Sequence, residues 1–310
     1  MHSSKKLILG VTASGKGRLA FDLAKEMAGE IISVDSMKVY RRMNIGTAKP
    51  PPEALEQVRY HLIDVVEPSE PFNVARFLEL AYEAIKKIEE RSKPVIAVGG
   101  TALYIKAMLY GLFEGPGSDE QIRRQLQKQA EAEGLEKLHK ELAELDPEAA
   151  KRINPNDAKR IIRAIEVHTI TGRTISSFQQ QFDAARPVHN WTIIGLRRER
   201  TIENQRINAR VKKMMTSGLV DEAKSLLAEE KSLSRQAGCA IGYAEIIEHL
   251  QGKSTLQEAI EQIKKSTRRL AKNQRTWFKR FKYVNWLDIK EDESPEDIIS
   301  RVKEKLNEDK

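Results

Sequence analysis

The stretch LILGVTASGKG, residues 7–17, decides the fold of this chain. It begins with an apolar run that stops at Gly10, and Gly15 and Lys16 follow before apolar residues recur at helical spacing. A strand, a glycine-rich loop and a helix in this order form a phosphate-binding loop, because the loop amides and the helix N-terminus face an anion and the lysine adds a charge. The sequence therefore predicts a phosphate or pyrophosphate site here.

The last position of the loop departs from the usual pattern. Gly17 stands where a serine or threonine hydroxyl commonly holds Mg²⁺. Mg²⁺ is the expected cofactor, and the sequence leaves the protein groups that hold it unknown. The loop residues predicted to bind the phosphates are Gly10, Thr12, Ala13, Ser14, Gly15, Lys16 and Gly17.

Strand and helix patterns alternate after this loop. Apolar strand patterns occupy residues 30–34, 60–66 and 94–98, with helical patterns between them. This alternation predicts an α/β fold in which a parallel sheet is covered by helices, as in P-loop NTPases. Because the carboxyl ends of parallel strands share one edge, the polar residues after the strands are expected in one site. These residues are Thr12 to Lys16, Asp35, Ser36 and Thr101.

The pattern changes near residue 113, where a turn-rich joint leads into a different kind of sequence. From residue 119 to about 180 the chain is helical and highly charged, without a convincing strand. A strand pattern returns at 191–196. The predicted organisation is a core formed by residues 1–113 and 186–310, interrupted by an all-helical insertion at 114–185.

Composition limits the class of protein. The 32% of charged residues favours a soluble, helix-rich protein, and the net charge of +8 weakly favours a polyanionic partner. The single Cys239 excludes an intrachain disulfide and a cysteine-based zinc cluster. No apolar run reaches membrane-spanning length, and the residues before the first strand are too few for a signal peptide. We expect a cytoplasmic protein without a membrane partner.

A long basic helix is predicted over residues 255–282. Its expected buried stripe consists of Ile260, Ile263, Leu270 and Trp277. Nine lysines and arginines lie between residues 264 and 282 with no acidic residue among them. Such a face can simply be solvated, but like charges repel each other, and a surface of this kind commonly meets phosphates. The helix therefore predicts contact with a nucleic acid.

Two residues at the predicted site also have simpler interpretations. Asp35 can order or cap a loop, or bind magnesium, instead of acting in catalysis. Thr101, which follows two glycines, can be an ordinary helix N-cap. On the residues alone, these alternatives stay open.

Eight stretches of the chain carry the pattern of one known family, in the family's order and over nearly the whole length. One of them is DSMKVYRRMNIGTAKP (35–50), which is similar to the signature DSMQVYRGMDIGTAKP. The others are GVTASGKG (10–17), YHLIDVVEPSEPFNVARF (60–77), VGGTALYIKAML (98–109), NPNDAKRIIRAIEVHTITGRT (154–174), RINARVKKMMTSGLVDEA (206–223), AIGYAEI (240–246) and AKNQRTWF (271–278). Together they resemble the tRNA dimethylallyltransferases.

The resemblance implies a reaction. N6 of the adenine 3′ of the anticodon (position 37), in tRNAs that read codons beginning with U, attacks dimethylallyl diphosphate, and pyrophosphate leaves. The product is N6-(dimethylallyl)adenosine. By the resemblance, Asp35 takes the amine proton, Thr101 lies near the reacting groups, and Arg210 joins the loop amides and Lys16 in stabilising the pyrophosphate. The adenine is expected to leave its stack.

The resemblance also implies the partners and their contacts. The partners are the tRNA anticodon stem-loop and dimethylallyl diphosphate, and a monomer is expected. The insertion would clasp the anticodon arm, and the basic helix would add phosphate contacts. The residues implied in tRNA binding are Asp35, Ser36, Met37, Lys38, Arg123, Lys159, Arg160, Arg163, Lys272, Arg275 and Lys279.

Several positions depart from the family pattern, and they keep other functions open. Gly17 replaces a threonine, Lys38 a glutamine, Ala102 a glycine and Asn273 an arginine, while Cys239 takes a place that commonly carries a polar residue. A catalytically weakened tRNA-binding paralogue is one alternative. A small-molecule P-loop kinase is another, although the missing loop hydroxyl and the basic helix argue against it. Adenylate prenyl transfer on a free nucleotide is a third, and it needs neither the basic helix nor the insertion.

Overall fold

The computed structural model of the chain describes residues 5–111, 115–179 and 190–308. The chain forms two compact units, one made of Met1–Leu109 with His189–Lys310 and the other of Tyr110–Val188. The boundaries expected at 113/114 and 185/186 fall outside the described residues.

The first unit contains a six-stranded parallel sheet in the order β3-β2-β4-β1-β5-β6. The strands are β1 (Lys5–Gly10), β2 (Glu30–Val34), β3 (Tyr60–His61), β4 (Val95–Gly99), β5 (Trp191–Arg197) and β6 (Val284–Asp288). β2 and β4 are buried at every residue, as expected for strands with helices on both faces of the sheet. The predicted α/β class is confirmed.

Helices connect these strands and cover the sheet. They are α1 (Lys16–Met27), α2 (Pro52–Gln57), α3 (Val74–Glu90), α4 (Ala102–Tyr110), α10 (Arg200–Thr216), α11 (Leu219–Leu227), α12 (Arg235–Gly238), α13 (Tyr243–Leu250), α14 (Leu256–Phe278) and α15 (Pro295–Glu308). The five described helices that come between α4 and α10 in the chain belong to the second unit. Among the helices of the described residues, none is long and apolar enough to cross a membrane.

The register of the central strands places their carboxyl ends side by side. Val34 at the end of β2 pairs with Gly99 at the end of β4, and Gly99 in turn pairs with Leu9 of β1. A Cβ atom at Gly99 would lie 2.1 Å from the Val34 carbonyl oxygen, so only glycine permits this approach. The loops that follow these strands therefore start from neighbouring positions.

The strand predicted over 60–66 is shorter than expected. β3 covers only Tyr60–His61, because Leu62 and Asp64 have φ of 63° and 55°, which strand residues do not adopt. The chain then follows the loop after β2 instead, and the amide of Val65 donates to the Val39 carbonyl at 2.8 Å.

Residues 115–179 of the second unit form helices and no strand, as predicted. Its helices are α5 (Glu120–Glu133), α6 (Leu135–Leu145), α7 (Pro147–Arg152), α8 (Ala158–Thr171) and α9 (Ile175–Gln179). Leu138, Leu142 and Ile161 are buried at its centre. Asp146 caps α7 and also accepts a hydrogen bond from the Ser176 amide, so it joins the start of α7 to α9.

Candidate active site

The phosphate loop presents a row of unbonded amides. Gly15 is the N-cap of α1 with φ of 101°, and no side chain caps the helix. The amides of Thr12 and Ser14 are bonded within the protein. In the described residues, no acceptor faces the amides of the remaining loop positions, which are Ala13, Gly15, Lys16 and Gly17. These groups and the positive end of the helix can bind an anion.

Lys16 extends along the loop, and its Nζ donates to the Val11 carbonyl at 3.1 Å. Burial, together with the positive charges of Arg210 and Lys38, lowers the pKa of Lys16 to about 7, against the opposing effect of Asp35. A phosphate beside this amine would supply the negative charge that stabilises its protonated form.

Two arginines hold the loop from its outer side. Arg198 Nε donates to the Ser14 carbonyl at 3.0 Å, and Arg206 Nε donates to the Ala13 carbonyl at 2.8 Å. In a trans peptide the N–H points away from the C=O. The Gly15 amide therefore points away from Arg198. The two arginines orient the loop by binding its carbonyl groups, and its amides stay open to a ligand. Arg198 follows the last residue of β5 and Arg206 lies four residues before Arg210 on α10, but the sequence alone does not predict that they bind the loop.

Asp35 and Thr101 organise the loops that follow β2 and β4. Asp35 Oδ1 accepts from the amides of Met37 and Lys38 at 2.8 and 3.2 Å. Thr101 Oγ1 accepts from the Ser36 amide at 3.1 Å, so its hydroxyl is directed to the neighbouring loop. Among the described residues, the hydrogen bonds to the Asp35 carboxylate use Oδ1, so Oδ2 remains available as an acceptor.

Arg210 reaches the same place from α10. Its Nη1 donates to Thr12 Oγ1 at 2.9 Å. Burial and Arg206 lower the pKa of Arg210, whereas Asp35 raises it. The structure thus gathers Lys16, Arg210 and the backbone of Lys38 around the carboxylate of Asp35.

Asp35 and Arg210 lie at the polar part of a pocket of about 470 Å³. Thr12, Asp35, Thr101 and Arg210 line that part. The apolar wall is made of Leu103, Val211, Met214, Ile263, Leu270 and Trp277. A ligand with a charged end and a short hydrocarbon end matches this division.

The apolar wall explains one wrong prediction. Leu270 was expected in the buried stripe of α14, but it is 38% exposed, and Trp277 is only half-buried. The residues of α14 that pack into the core are Ala259, Ile263, Ala271, Gln274 and Phe278. Leu270 and Trp277 line the pocket instead, and an apolar pocket wall has the same helical period as a core stripe.

Glu222 and Tyr243 anchor the segment 44–46, which the sequence did not reveal. Glu222 accepts from the amides of Asn44, Ile45 and Gly46, and the Tyr243 hydroxyl donates to Glu222 at 2.5 Å. A Cβ at Gly46 would lie 2.4 Å from the Tyr243 ring, so glycine is required there. The following residues, 47 and 48, line the pocket.

The predicted tRNA contacts on α14 fall into two groups. Lys272 and Lys279 are exposed. Arg275 forms an ion pair with Glu203 of α10, which is only 2% exposed. Arg275 is thus already paired with a carboxylate of the first unit.

The predicted contacts in the helical unit divide in the same way. Lys159 and Arg160 are exposed, and Arg160 lies 3.4 Å from Asp157. Arg123 and Arg163 both bond the fully buried Glu166. These two arginines hold the unit together, and their contact with RNA stays a prediction.

The residues of the site provide few ligands for Mg²⁺. Within residues 5–111, 115–179 and 190–308, no cluster of three His, Cys, Asp or Glu side chains could hold a metal ion. Gly17 offers no hydroxyl, and Asp35 is the carboxylate that lines the pocket. This donor set fits an ion that keeps its waters and is held largely by substrate phosphates, as Mg²⁺ commonly is.

Comparison with known proteins agrees with this geometry. The model of the IPP transferase family matches residues 38–281. The chain belongs to the IPP transferase family. A tRNA dimethylallyltransferase of Geobacter metallireducens is 46% identical over 282 residues, 91% of each chain. One from Acetivibrio thermocellus is 44% identical and is matched over 95% of its length by 96% of this chain.

Solved structures of relatives share the fold of this family member. The tRNA isopentenylpyrophosphate transferase of Bacillus halodurans is 39% identical with a TM-score of 0.71, and the match covers 99% of this chain and 98% of that one. A eukaryotic dimethylallyltransferase acting on tRNA is 27% identical with a TM-score of 0.82, over 99% of this chain and 80% of that one.

Proposed function

We propose that this chain transfers a dimethylallyl group from dimethylallyl diphosphate to N6 of the adenine at position 37, 3′ of the anticodon, in tRNAs that read codons beginning with U. The observation that carries the proposal is the pocket in which Asp35, Thr101, Arg210 and an open phosphate loop face an apolar wall. Family membership supports the same reaction.

Each part of the site has a task in this reaction. The diphosphate binds the free amides of the loop and Lys16, and the five-carbon group lies along Leu270 and Trp277. As the N6–C1 bond forms and the C1–O bond breaks, Asp35 Oδ2 accepts the amine proton. Arg210 and the loop amides stabilise the charge on the departing pyrophosphate.

Mg²⁺ is part of the proposal. The ion would neutralise charge on the diphosphate and would be held largely by the substrate phosphates and its own waters, which leaves Asp35 Oδ2 free to accept the proton. Position 17 is a glycine and offers the ion no hydroxyl. The phosphate loop would instead bind the diphosphate through its backbone amides. The chain itself is proposed to act as a monomer in the cytoplasm.

The RNA is proposed to meet two exposed groups of cations. Lys272 and Lys279 belong to the first unit, and Lys159 and Arg160 to the second. These exposed cations would contact RNA phosphates. Such contacts position an RNA but do not recognise its sequence.

The test measures transfer of the labelled dimethylallyl group from its diphosphate to unmodified tRNA that carries adenine at position 37. Two control acceptors are used, the same tRNA with guanine at position 37 and AMP. The proposal is supported if label appears in the tRNA with adenine at position 37 and in neither control acceptor. Labelled AMP would indicate a free-nucleotide prenyltransferase, and tight tRNA binding without transfer would indicate a binding paralogue.

A further inference from the structure

Gln274 joins the basic helix α14 to two loops at the catalytic edge of the sheet. Its Oε1 accepts from the Thr12 amide at 2.7 Å, and its Nε2 donates to the Gly100 carbonyl at 2.8 Å. The side chain is 8% exposed. Gln274 is therefore a buried polar residue in which both ends of the amide are bonded to the backbone.

The chemistry of these two contacts is specific to glutamine. One contact needs an acceptor and the other a donor, and only an amide side chain offers both on one carbon. Glutamate of the same length would place an oxygen against the Gly100 carbonyl, and asparagine is one methylene shorter. A Cβ at Gly100 would lie 2.5 Å from Gln274 Nε2, so the glycine makes room for the contact.

The two bonded loops carry the groups assigned to catalysis. Thr12, whose amide donates to Gln274, also accepts from Arg210 through its hydroxyl at 2.9 Å. Gly100, whose carbonyl accepts from Gln274, precedes Thr101, whose hydroxyl accepts from the Ser36 amide beside Asp35. Gln274 thus spans the distance between the anchor of Arg210 and the loop of Asp35.

We propose that Gln274 is a positioning residue for prenyl transfer, which fixes the spacing between the phosphate loop and the Gly99–Thr101 loop. This inference rests on the proposed function. Gln274 lines the pocket, but both ends of its side-chain amide are bonded to the backbone, so it acts by setting where Arg210 and Thr101 stand relative to Asp35. Small misplacements of such groups can lower a rate by about 10²-fold.

The test compares three substitutions with a matched control. Gln274→Glu keeps the acceptor for the Thr12 amide but loses the donor to the Gly100 carbonyl, and Gln274→Met loses both. Gln274→Asn keeps the amide on a side chain that is one methylene shorter. Gln262→Met is the control, because Gln262 is exposed on the same helix and bonds only Ser266. Single-turnover rates, KM for tRNA and melting temperature are measured for each.

The proposal predicts that Gln274→Met lowers the single-turnover rate by about 10²-fold with KM for tRNA unchanged, and that Gln274→Glu falls between Met and wild type. Gln262→Met behaves as wild type. A merely structural role would lower the melting temperature of Gln274→Met while the folded enzyme kept its rate below that temperature. That result would overturn the proposal.

A second measurement separates this proposal from the proposed function. Pyrophosphate binding is measured by calorimetry without RNA, so it does not depend on turnover. Gln274→Met is expected to bind pyrophosphate about 10-fold more weakly, because the Thr12 amide loses its acceptor and the loop shifts. If wild type transfers nothing yet this loss appears, only the proposed function fails; equal pyrophosphate affinity in Gln274→Met and wild type overturns the positioning role.

Discussion

Arg210 donates from Nη1 to Thr12 Oγ1 at 2.9 Å, so the Thr12 hydroxyl binds a residue of α10 to the phosphate loop. The pair lies in the pocket that also contains Asp35 and Thr101. The position of the Arg210 charge therefore depends on the residue at position 12.

We expect Thr12→Val to lower the rate of transfer, because valine keeps the shape of threonine but offers no acceptor to Arg210. The loss should approach that of Arg210→Ala, on the order of 10²-fold. Thr12→Ser, which keeps the hydroxyl, is the control and should stay near wild type in single-turnover assays. Equal rates for the Val and Ser variants would exclude this role for the contact.

Lys16 should take up a proton when pyrophosphate binds. Its pKa of about 7 leaves the amine mostly neutral at pH 8 in the free protein, and a bound anion raises that pKa. Calorimetry in two buffers of different ionisation enthalpy should show proton uptake at pH 8 and little at pH 6. Lys16→Arg, whose guanidinium stays protonated, should lack this uptake. The same uptake in both proteins would contradict the low pKa.

Gly17 is a position where a hydroxyl can be added without steric cost. A Cβ there would meet nothing within 4 Å, and the residue lies in the first turn of α1. We expect Gly17→Thr to lower the Mg²⁺ concentration needed for half-maximal transfer by about 10-fold, because it adds a ligand. Gly17→Val has the same shape without the hydroxyl and should not change it. Identical Mg²⁺ curves for Thr and Val would show that position 17 does not reach the ion.

The cations of α14 should separate into RNA-binding and structural residues. Lys272→Ala and Lys279→Ala should each weaken tRNA binding and reduce the slope of log affinity against log salt by about 1. Arg275→Ala should instead lower the free energy of unfolding by about 1–3 kcal/mol, because it leaves Glu203 buried without its partner.

Filter binding over a range of salt and urea unfolding distinguish the two effects. Arg275→Met with Glu203→Met, which removes both charges, should recover most of the stability. A salt slope in Arg275→Ala that falls as it does in Lys272→Ala would show that Arg275 also meets RNA.

Local patterns were sufficient to predict the strand–loop–helix order at β1 and α1 and the neighbouring positions of Asp35 and Thr101. The strand–loop–helix order and the shared edge of parallel strands act over short stretches of chain. The same rule could not find Gln274, because its partners Thr12 and Gly100 lie on other elements and are distant in the sequence. The family motif AKNQRTWF contains Gln274 but does not indicate its contacts with Thr12 and Gly100.

Two errors have physical causes that a sequence does not display. Leu270 and Trp277 have the period of a core stripe, and periodicity cannot distinguish a core from a pocket wall. The strand expected over 60–66 ends early because Leu62 and Asp64 adopt positive φ, and this stretch bonds to the loop after β2. In both cases tertiary contacts overrode a local pattern.

The central claim is that Asp35 accepts the proton of the adenine amine, and one measurement tests it most directly. Single-turnover transfer from labelled dimethylallyl diphosphate to tRNA is followed in wild type, Asp35→Asn and Asp35→Ala, with tRNA and pyrophosphate affinity measured on the same proteins. The account predicts that both substitutions lower the rate by about 10²–10⁴-fold while both ligands still bind. Transfer by Asp35→Asn at the wild-type rate would contradict it.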